Sequence, residues 1–166
     1  KEESWDSFSA WLTWAHEKPT LEKDEENVRR GYARFVLRED IWLVGIDKAT
    51  GMPVIWTGLH NPVWDIPAAG IGYMVRKSAQ GRGFATESTN ALLRFAFNAL
   101  GMKRVAIAHA EGNEASAAVI RKLGFHFEAF EKYGTYLPDR RAVNKFSYAR
   151  FDADGLPDLA VKWGPP

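Results

Sequence analysis

The sequence contains no cysteine, no long apolar run and almost no excess of one charge. Without cysteine the chain forms no disulfide, no thiolate metal site and no cysteine nucleophile. No stretch approaches the ~20 apolar residues that a membrane-spanning helix needs. Lys and Arg number 22 against 21 Asp and Glu, so the net charge of +1 offers nucleic acid or an acidic membrane no electrostatic footprint. These absences favour a soluble, cytoplasmic protein with neither nucleic acid nor membrane as partner.

Length and composition predict a single globular domain over residues 1–166. The 166 residues are 46% hydrophobic and 26% charged, which is ordinary for a chain that buries its own core. No linker, repeat or low-complexity tract divides them. The first residue is Lys rather than Met, so we expect a short preceding segment to have been trimmed. Residues 152–166 are interpreted as a tail extension.

The hydrophobic periods predict two helices, three strands, a helix, a strand, a helix and two strands. The predicted helices cover residues 4–16, 22–38, 84–100 and 113–123. The predicted strands cover residues 41–47, 53–59, 68–75, 103–110, 125–131 and 143–151. This order is typical of an α/β domain built on one sheet. Gly70 and Gly72 indicate a bulge or a close backbone approach in the third strand.

A glycine-rich loop, Gln-Gly-Arg-Gly at residues 80–83, lies between the third strand and the helix that begins at Phe84. Its amides are unhindered by side chains and converge with a helix N-terminus, which favours phosphate or pyrophosphate. Arg76, Lys77 and Arg82 add positive charge. A P-loop string is absent, and the loop follows an apparent antiparallel meander, so a dinucleotide fold is disfavoured. A glycine loop without a ligand stays open as the alternative.

Two motifs resemble the GNAT N-acetyltransferase superfamily. Residues 80–85, Gln-Gly-Arg-Gly-Phe-Ala, match its acyl-CoA pyrophosphate loop, (Gln/Arg)-x-x-Gly-x-(Gly/Ala). Residues 113–116, Asn-Glu-Ala-Ser, followed by Leu-Gly-Phe at 123–125, resemble the signature of the branch that contains the ribosomal-protein N-terminal acetyltransferases. The resemblance extends in element order from about residue 5 to residue 151.

The resemblance implies the GNAT acyl-CoA N-acyltransferase fold, a mixed, mostly antiparallel sheet flanked by helices. The sheet would splay between the family's fourth and fifth strands, here near Val75 and Ile107, and a bulge near residues 70–74 would free backbone groups for a ligand. The family's usual first strand has no counterpart here. Three explanations stay open: the strand is lost, residues 158–163 replace it, or a partner chain in a homodimer supplies it.

The same resemblance implies acetyl-CoA as cosubstrate and no metal. The implied cofactor-binding residues are Tyr73, Met74, Val75, Gln80, Gly81, Arg82, Gly83, Phe84, Ala85, Thr86, Asn113 and Ser116. The backbone of Met74 and Val75 is the candidate for contacts to the pantetheine arm and the thioester oxygen. Asn113 would also cap its helix. Ser116 is the candidate proton donor to the CoA thiolate, because the family's usual tyrosine position holds Ile120.

The residue that accepts the amine proton is less defined. Ribosomal-type enzymes of this family often have Glu where this sequence has Gly70. His109, near the end of the fifth strand of the family, is the candidate catalytic base, since imidazole suits proton transfer near neutral pH. Asp65, His60 and a water chain to bulk solvent stay open. Glu87 is interpreted as a carboxylate that complements a helix dipole.

The implied activity is transfer of an acetyl group from acetyl-CoA to a primary amine by direct attack. The leading acceptor is a protein or peptide N-terminal α-amine, because its pKa of about 7.7–8.0, against about 10.4 for lysine, suits a site without a strong base. In the family the two N-terminal helices and the last hairpin line the acceptor groove, and these segments hold Trp5, Trp11, Trp14, Tyr133 and Tyr136. The alternatives are a small amine, such as an antibiotic or amino-acid derivative, and a catalytically silent acyl-CoA sensor.

Overall fold

The computed structural model describes residues 1–18 and 20–161. In that part of the chain six strands form one sheet in the order β1-β2-β3-β4-β6-β5. The strands are β1 Asp40–Ile46, β2 Pro53–Val63, β3 Ala68–Val75, β4 Arg104–Ala110, β5 His126–Tyr136 and β6 Ala142–Arg150. Strands β3 and β4 are parallel, and every other neighbouring pair is antiparallel. The predicted mixed, mostly antiparallel sheet is therefore confirmed.

Four α-helices flank the sheet in the described ranges. They are α1 Trp5–Trp11, α2 Leu21–Val36, α3 Phe84–Arg94 and α4 Glu114–Lys122, and α3 continues as a π-helical turn over Phe95–Ala99. The prediction made α1 too long, because the chain turns at Leu12 and folds Trp14 back against Trp5 and Phe8, at ring distances of 6.5 and 6.2 Å. No helix in these ranges is long and apolar enough to cross a membrane.

The core lies between the sheet and helices α3 and α4. Leu93, Ile120 and Leu123 project from the helices and are at most 1% exposed, while Val105 and Ile71 contribute from the sheet. Helix α3 follows β3 and α4 follows β4, and because these two strands are parallel, both helices begin at the same end of the sheet. No side chain of α2, which is described throughout, is fully buried.

The sheet opens between its two parallel strands. Strands β3 and β4 pair only through Ala68–Gly70 and Arg104–Ala106. Beyond that point β3 stays paired with β2 as far as Val75, and β4 stays paired with β6 as far as Ala110. The two parallel strands therefore diverge, and the splay expected near Val75 and Ile107 is present.

The expected bulge at residues 70–74 is wrong. Strand β3 keeps an unbroken register with β2 from Gly70, which pairs with His60, to Val75. The irregularity lies in β2, between His60 and Val63. The glycines instead allow a close approach, since a Cβ on Gly70 would lie 2.1 Å from the His60 ring.

The segment after β6 belongs to the domain at least as far as residue 157. Leu156 is buried in the core, and Arg94 of α3 donates to the carbonyl of Pro157 at 3.0 Å. The buried Arg150 donates to the carbonyls of Leu123 and Asp154. Residues 158–161 form no strand, and the rest of the proposed replacement strand, residues 162 and 163, lies outside the described residues.

We predict that Arg150→Met lowers the free energy of unfolding by about 3 kcal/mol, because it leaves the buried carbonyl of Leu123 and the part-buried carbonyl of Asp154 without this donor. The measurement is the urea unfolding midpoint at unchanged slope. Arg141→Met is the matched control, since Arg141 is exposed and lies 3.6 Å from Asp139 in a surface ion pair. A loss no larger than that of the control would contradict the assignment.

Candidate active site

The gap between β3 and β4 opens into a cavity of about 1860 Å³. One part of its wall comes from β3, the glycine loop and the start of α4. The wall also includes a group of aromatic side chains from α1, α2 and the first two strands: Trp11, Trp14, Tyr32, Phe35, Trp42 and Trp56. Every residue predicted to bind the cofactor lines this cavity except Arg82, and the predicted base His109 also lines it.

The predicted acceptor residues are only partly brought together. Trp11 and Trp14 line the cavity, whereas Trp5, Tyr133 and Tyr136 do not. Trp11 packs beside Gly112, where an added Cβ would lie 3.5 Å from the indole. The wall on this side therefore comes from α1, α2 and the first two strands more than from the last hairpin.

The glycine loop presents free backbone amides to the cavity. Gly81 and Gly83 have φ of 74° and 87°, a left-handed conformation that L side chains rarely adopt. A Cβ on either glycine would meet no atom within 4 Å, so each faces open space. Gly83 occupies the N-cap of α3, and no side chain in the described residues caps that end. The first-turn amides at residues 84–86 are thus available to an anion.

The cations around this loop are all paired with acids. Arg82 contacts Asp47 at 3.0 Å and lies over the Phe84 ring at 4.8 Å, which ties the loop to the turn after β1. The backbone amide of Ala49 chiefly, and Arg82 next, lowers the pKa of Asp47. The Arg82 side chain therefore holds the loop in position, and its part in cofactor binding stays a prediction.

The other two cations have partners at the N-terminal end of the chain. Arg76 pairs with Glu3 at 2.6 Å, and Lys77 lies 3.6 Å from Asp6. Hydrogen bonds from Arg76 and then Ser78 lower the pKa of Glu3 to about 2. Attraction of an anion to the loop therefore depends on backbone amides and the helix dipole rather than on free side-chain charge.

Helix α4 places a serine hydroxyl in the gap. The Asn113 side chain accepts a hydrogen bond from the Ser116 amide at 3.1 Å, which confirms the predicted cap. The Ser116 hydroxyl lies 3.2 Å from the phenol oxygen of Tyr73 on β3. Burial raises the pKa of Tyr73, and the Ser116 hydrogen bond opposes that change. Two hydroxyl groups, from opposite walls, therefore meet in the cavity.

Tyr73 was expected to bind the cofactor, but the pairing of its hydroxyl with Ser116 was not predicted. Alternation along β3 could have indicated it, because Tyr73 shares a face with the buried Ala69 and Ile71. Ile120, at the position of the family's usual tyrosine, is 1% exposed within the core. A phenol is thus present in the gap, but β3 supplies it instead of α4.

His109 lies on β4 with its ring between Phe146 and Tyr148, at centroid distances of 5.3 and 5.7 Å. Its Nδ1 lies 3.0 Å from the Ala110 carbonyl oxygen, which can only accept, so Nδ1 carries the proton. Nε2 is then a lone-pair acceptor, buried and without a hydrogen-bond partner among the described residues. Asp65, an alternative base, is exposed and does not line the cavity.

No three His, Asp or Glu side chains within residues 1–18 and 20–161 come together in a way that could hold a metal ion. Of the carboxylates in those ranges, Asp40 alone lines the cavity, and it is paired with Arg34 at 2.7 Å. The imidazoles of His60 and His109 line the cavity as well.

Comparison with known protein families gives a match to the acetyltransferase (GNAT) domain over residues 2–126. A curated relative, the putative ribosomal N-acetyltransferase YdaF of Bacillus subtilis strain 168, is 39% identical over 79 residues. That stretch covers 48% of this chain and 43% of the relative, so the alignment spans less than half of the relative's length.

Solved structures share the fold at low sequence identity. The ribosomal L7/L12 α-N-protein acetyltransferase RimL, in complex with CoA, has a TM-score of 0.84 at 22% identity, covering 92% of this chain and 84% of its own. The spermidine N-acetyltransferase of Vibrio cholerae, in complex with CoA and spermine, has a TM-score of 0.74 at 17% identity, covering 91% and 85%.

We predict that one of the five tyrosines titrates above the ordinary value of 10.0 and that Tyr73→Phe removes this step. Ser116→Ala should raise the pKa of Tyr73 further, because the serine hydrogen bond stabilises the phenolate. Ultraviolet difference absorbance against pH measures both. A high-pH step that persists in Tyr73→Phe would refute the buried hydroxyl pair.

Proposed function

Because this chain belongs to the GNAT acetyltransferase family, we propose that it transfers an acetyl group from acetyl-CoA to a primary amine by direct attack. One observation carries the proposal: the splayed strands hold free loop amides at one end of a cavity and the Ser116–Tyr73 hydroxyl pair within it. Amides suit the pyrophosphate, and hydroxyls suit a leaving thiolate, so the pyrophosphate and the thioester of an acyl-CoA both have complementary groups.

The wall between these ends suits the pantetheine arm and the thioester. Beyond Gly70 the inner edge of β3 has no ladder to β4, which leaves the backbone of Met74 and Val75 beside the gap. Gln80 donates its side-chain amide to the Val75 carbonyl at 3.4 Å and so joins the loop to the strand end. We assign Met74 and Val75 to the arm contacts and to polarising the thioester oxygen.

Ser116 is the proposed proton donor to the CoA thiolate, and Tyr73 is its hydrogen-bonded partner. The Tyr73 phenol, whose pKa burial raises above its ordinary 10.0, is protonated at neutral pH, so it can replace the proton that Ser116 donates. Asn113 holds the serine amide and so orients the first turn of α4 toward the gap.

The proposed acceptor is the α-amine of a protein or peptide N-terminus. The names of YdaF and RimL refer to ribosomal-protein acetylation, which supports this class. The cavity wall, where the structure describes it, holds one carboxylate, Asp40, against the cations Arg34, Arg104, Lys122 and Lys145. A polyamine, with several ammonium groups, finds no unpaired carboxylate here, whereas a terminal amine brings a single charge.

A polyamine or other small amine is the second candidate, because the spermidine N-acetyltransferase has the same fold. The third is an acyl-CoA sensor without turnover. The test incubates the full chain and acetyl-CoA with a peptide beginning in Ala, the same peptide blocked at its N-terminus but containing Lys, and spermidine. CoA release is followed with a thiol reagent, which the cysteine-free chain does not consume.

We expect the Ala peptide to have a kcat/KM at least about ten-fold above spermidine and the blocked peptide, with intersecting rate patterns in the two substrates. Faster turnover of spermidine than of the Ala peptide would mean that the acceptor is a polyamine and not a peptide α-amine. Parallel patterns would contradict direct attack. Acetyl-CoA binding without CoA release on any amine would favour the sensor.

We predict that Gly83→Ala weakens acetyl-CoA binding about ten- to hundred-fold, since the added Cβ displaces the pyrophosphate from the loop amides. Calorimetric titration measures this. Gly101→Ala is the matched control, because Gly101 has a comparable φ of 68°, faces open space and lies outside the cavity wall.

Ser116→Ala separates binding from chemistry. It should bind acetyl-CoA like the parent and lose rate, since a proton donor acts when the thiolate leaves.

For Gly83→Ala, an acetyl-CoA affinity equal to that of the parent would refute the assignment of the loop to the pyrophosphate.

A further inference from the structure

An imidazole lies at the closed end of the gap, on the face opposite to the hydroxyl pair. Asp40, His60, Gly70 and Ala106 are successive cross-strand partners on β1, β2, β3 and β4. The last of these pairs, Gly70 with Ala106, is also the last parallel pair before the strands diverge. His60 therefore lies next to the point where the gap begins, and its side chain lines the cavity.

Two glycines make the space that this ring occupies. A Cβ on Gly70 would lie 2.1 Å from Cε1, 2.6 Å from Nδ1 and 2.7 Å from Nε2 of His60. A Cβ on Gly72 would lie 3.7 Å from the same ring. On its other side the ring is parallel to Trp42, at 6.1 Å and 11°. The imidazole is thus held flat over β3, in a slot that only glycine at position 70 allows.

The groups around the ring leave it ready to accept a proton. Asn61 lies with its side-chain amide 3.3 Å from Nδ1, and because an amide NH₂ can only donate, Nδ1 offers its lone pair. Asn61 is exposed, so an incoming ammonium can take its place. Burial lowers the pKa of His60 and keeps the ring neutral, while the charge of Asp40 opposes this. Asp40 is itself paired with Arg34 of α2.

The other proton acceptors of the cavity are less suited. His109 belongs to the opposite face, since it alternates with Val105 and Ile107 of the core, and its free Nε2 has no accessible surface. Asp40 accepts hydrogen bonds from the Asn61 backbone at 2.9 Å and from Arg34. Among the residues that the structure describes, only His60 combines a lone pair, access to the cavity and the aromatic side of the wall.

We propose that His60 is the general base of the amine acetylation, an inference that rests on the proposed function. Its imidazole takes one proton from the acceptor ammonium and passes it to solvent. The nitrogen lone pair then forms the C–N bond at the thioester carbonyl, and the C–S bond breaks. The thiolate takes the Ser116 proton, and the second proton lost by the nitrogen restores the hydroxyl pair.

The test is His60→Gln in the full chain, with acetyl-CoA and the Ala peptide. We expect kcat/KM to fall about 10²-fold or more, with acetyl-CoA affinity unchanged by calorimetry. The parent rate should fall only when the pH drops through the pKa of the His60 imidazole, which burial lowers below its ordinary value of 6.5. In His60→Gln the rate should instead begin to fall at a higher pH, near the pKa of the peptide amine, about 7.7–8.0.

His126→Gln is the matched control, because His126 is an exposed imidazole outside the cavity wall, and it should keep the parent rate and profile. His60→Gly should recover rate when free imidazole is added, which a purely structural residue would not show. A parent-like profile in His60→Gln overturns the proposal. The proposal is also overturned if the pH profile of the rate shifts in His109→Gln and not in His60→Gln, because the base would then be His109.

A second measurement does not need turnover. Nuclear magnetic resonance titration of the four histidines, with His60 assigned by its loss in His60→Gln, should show the His60 signal moving when acetyl-CoA is added. If acetyl-CoA binds and the His60 signal does not move, His60 is not beside the bound ligand and the proposed role of His60 is wrong, whereas the proposed function is unaffected. Absence of acetyl-CoA binding in the parent refutes the proposed function itself.

Discussion

The parallel pairing of β3 with β4 ends after three residues on each strand, and the site depends on that ending. Each strand keeps its antiparallel partner on the far side, so the sheet divides without losing its ladders to β2 and β6. The inner edges then border a cavity instead of each other. Loop amides, strand backbone and the start of α4 can reach one ligand only because this one pair of strands separates.

The ion pairs around the glycine loop determine which charges face the cavity. The three cations nearest the glycine loop are matched by Glu3, Asp6 and Asp47, so they fix the loop and the first residues of the chain in place. What faces the gap is a row of amides at the start of α3. Such a site recognises an anion by direction as well as by charge, because each amide must point at it.

The two faces of the divided sheet hold different chemistry. On the α3 and α4 side, Tyr73 and Ser116 meet within 3.2 Å and can supply a proton. On the other side, His60 lies over Gly70 among aromatic side chains and can accept one. A carbonyl held in the gap would be open to attack from one face and to protonation of its leaving group from the other, which suits direct transfer.

The sequence by itself determined the features that depend on neighbours along the chain: the order of elements, the glycine-rich loop before α3, and the Asn113 cap that sets Ser116 in a first turn. Periodicity and capping are local, so spacing predicts them. The Tyr73–Ser116 contact spans 43 residues, and the Arg82–Asp47 pair spans 35. The stacking of His60 over Gly70 depends on the register between two strands. Only the tertiary structure decided these contacts, because strand register and helix packing determine which distant side chains share a space.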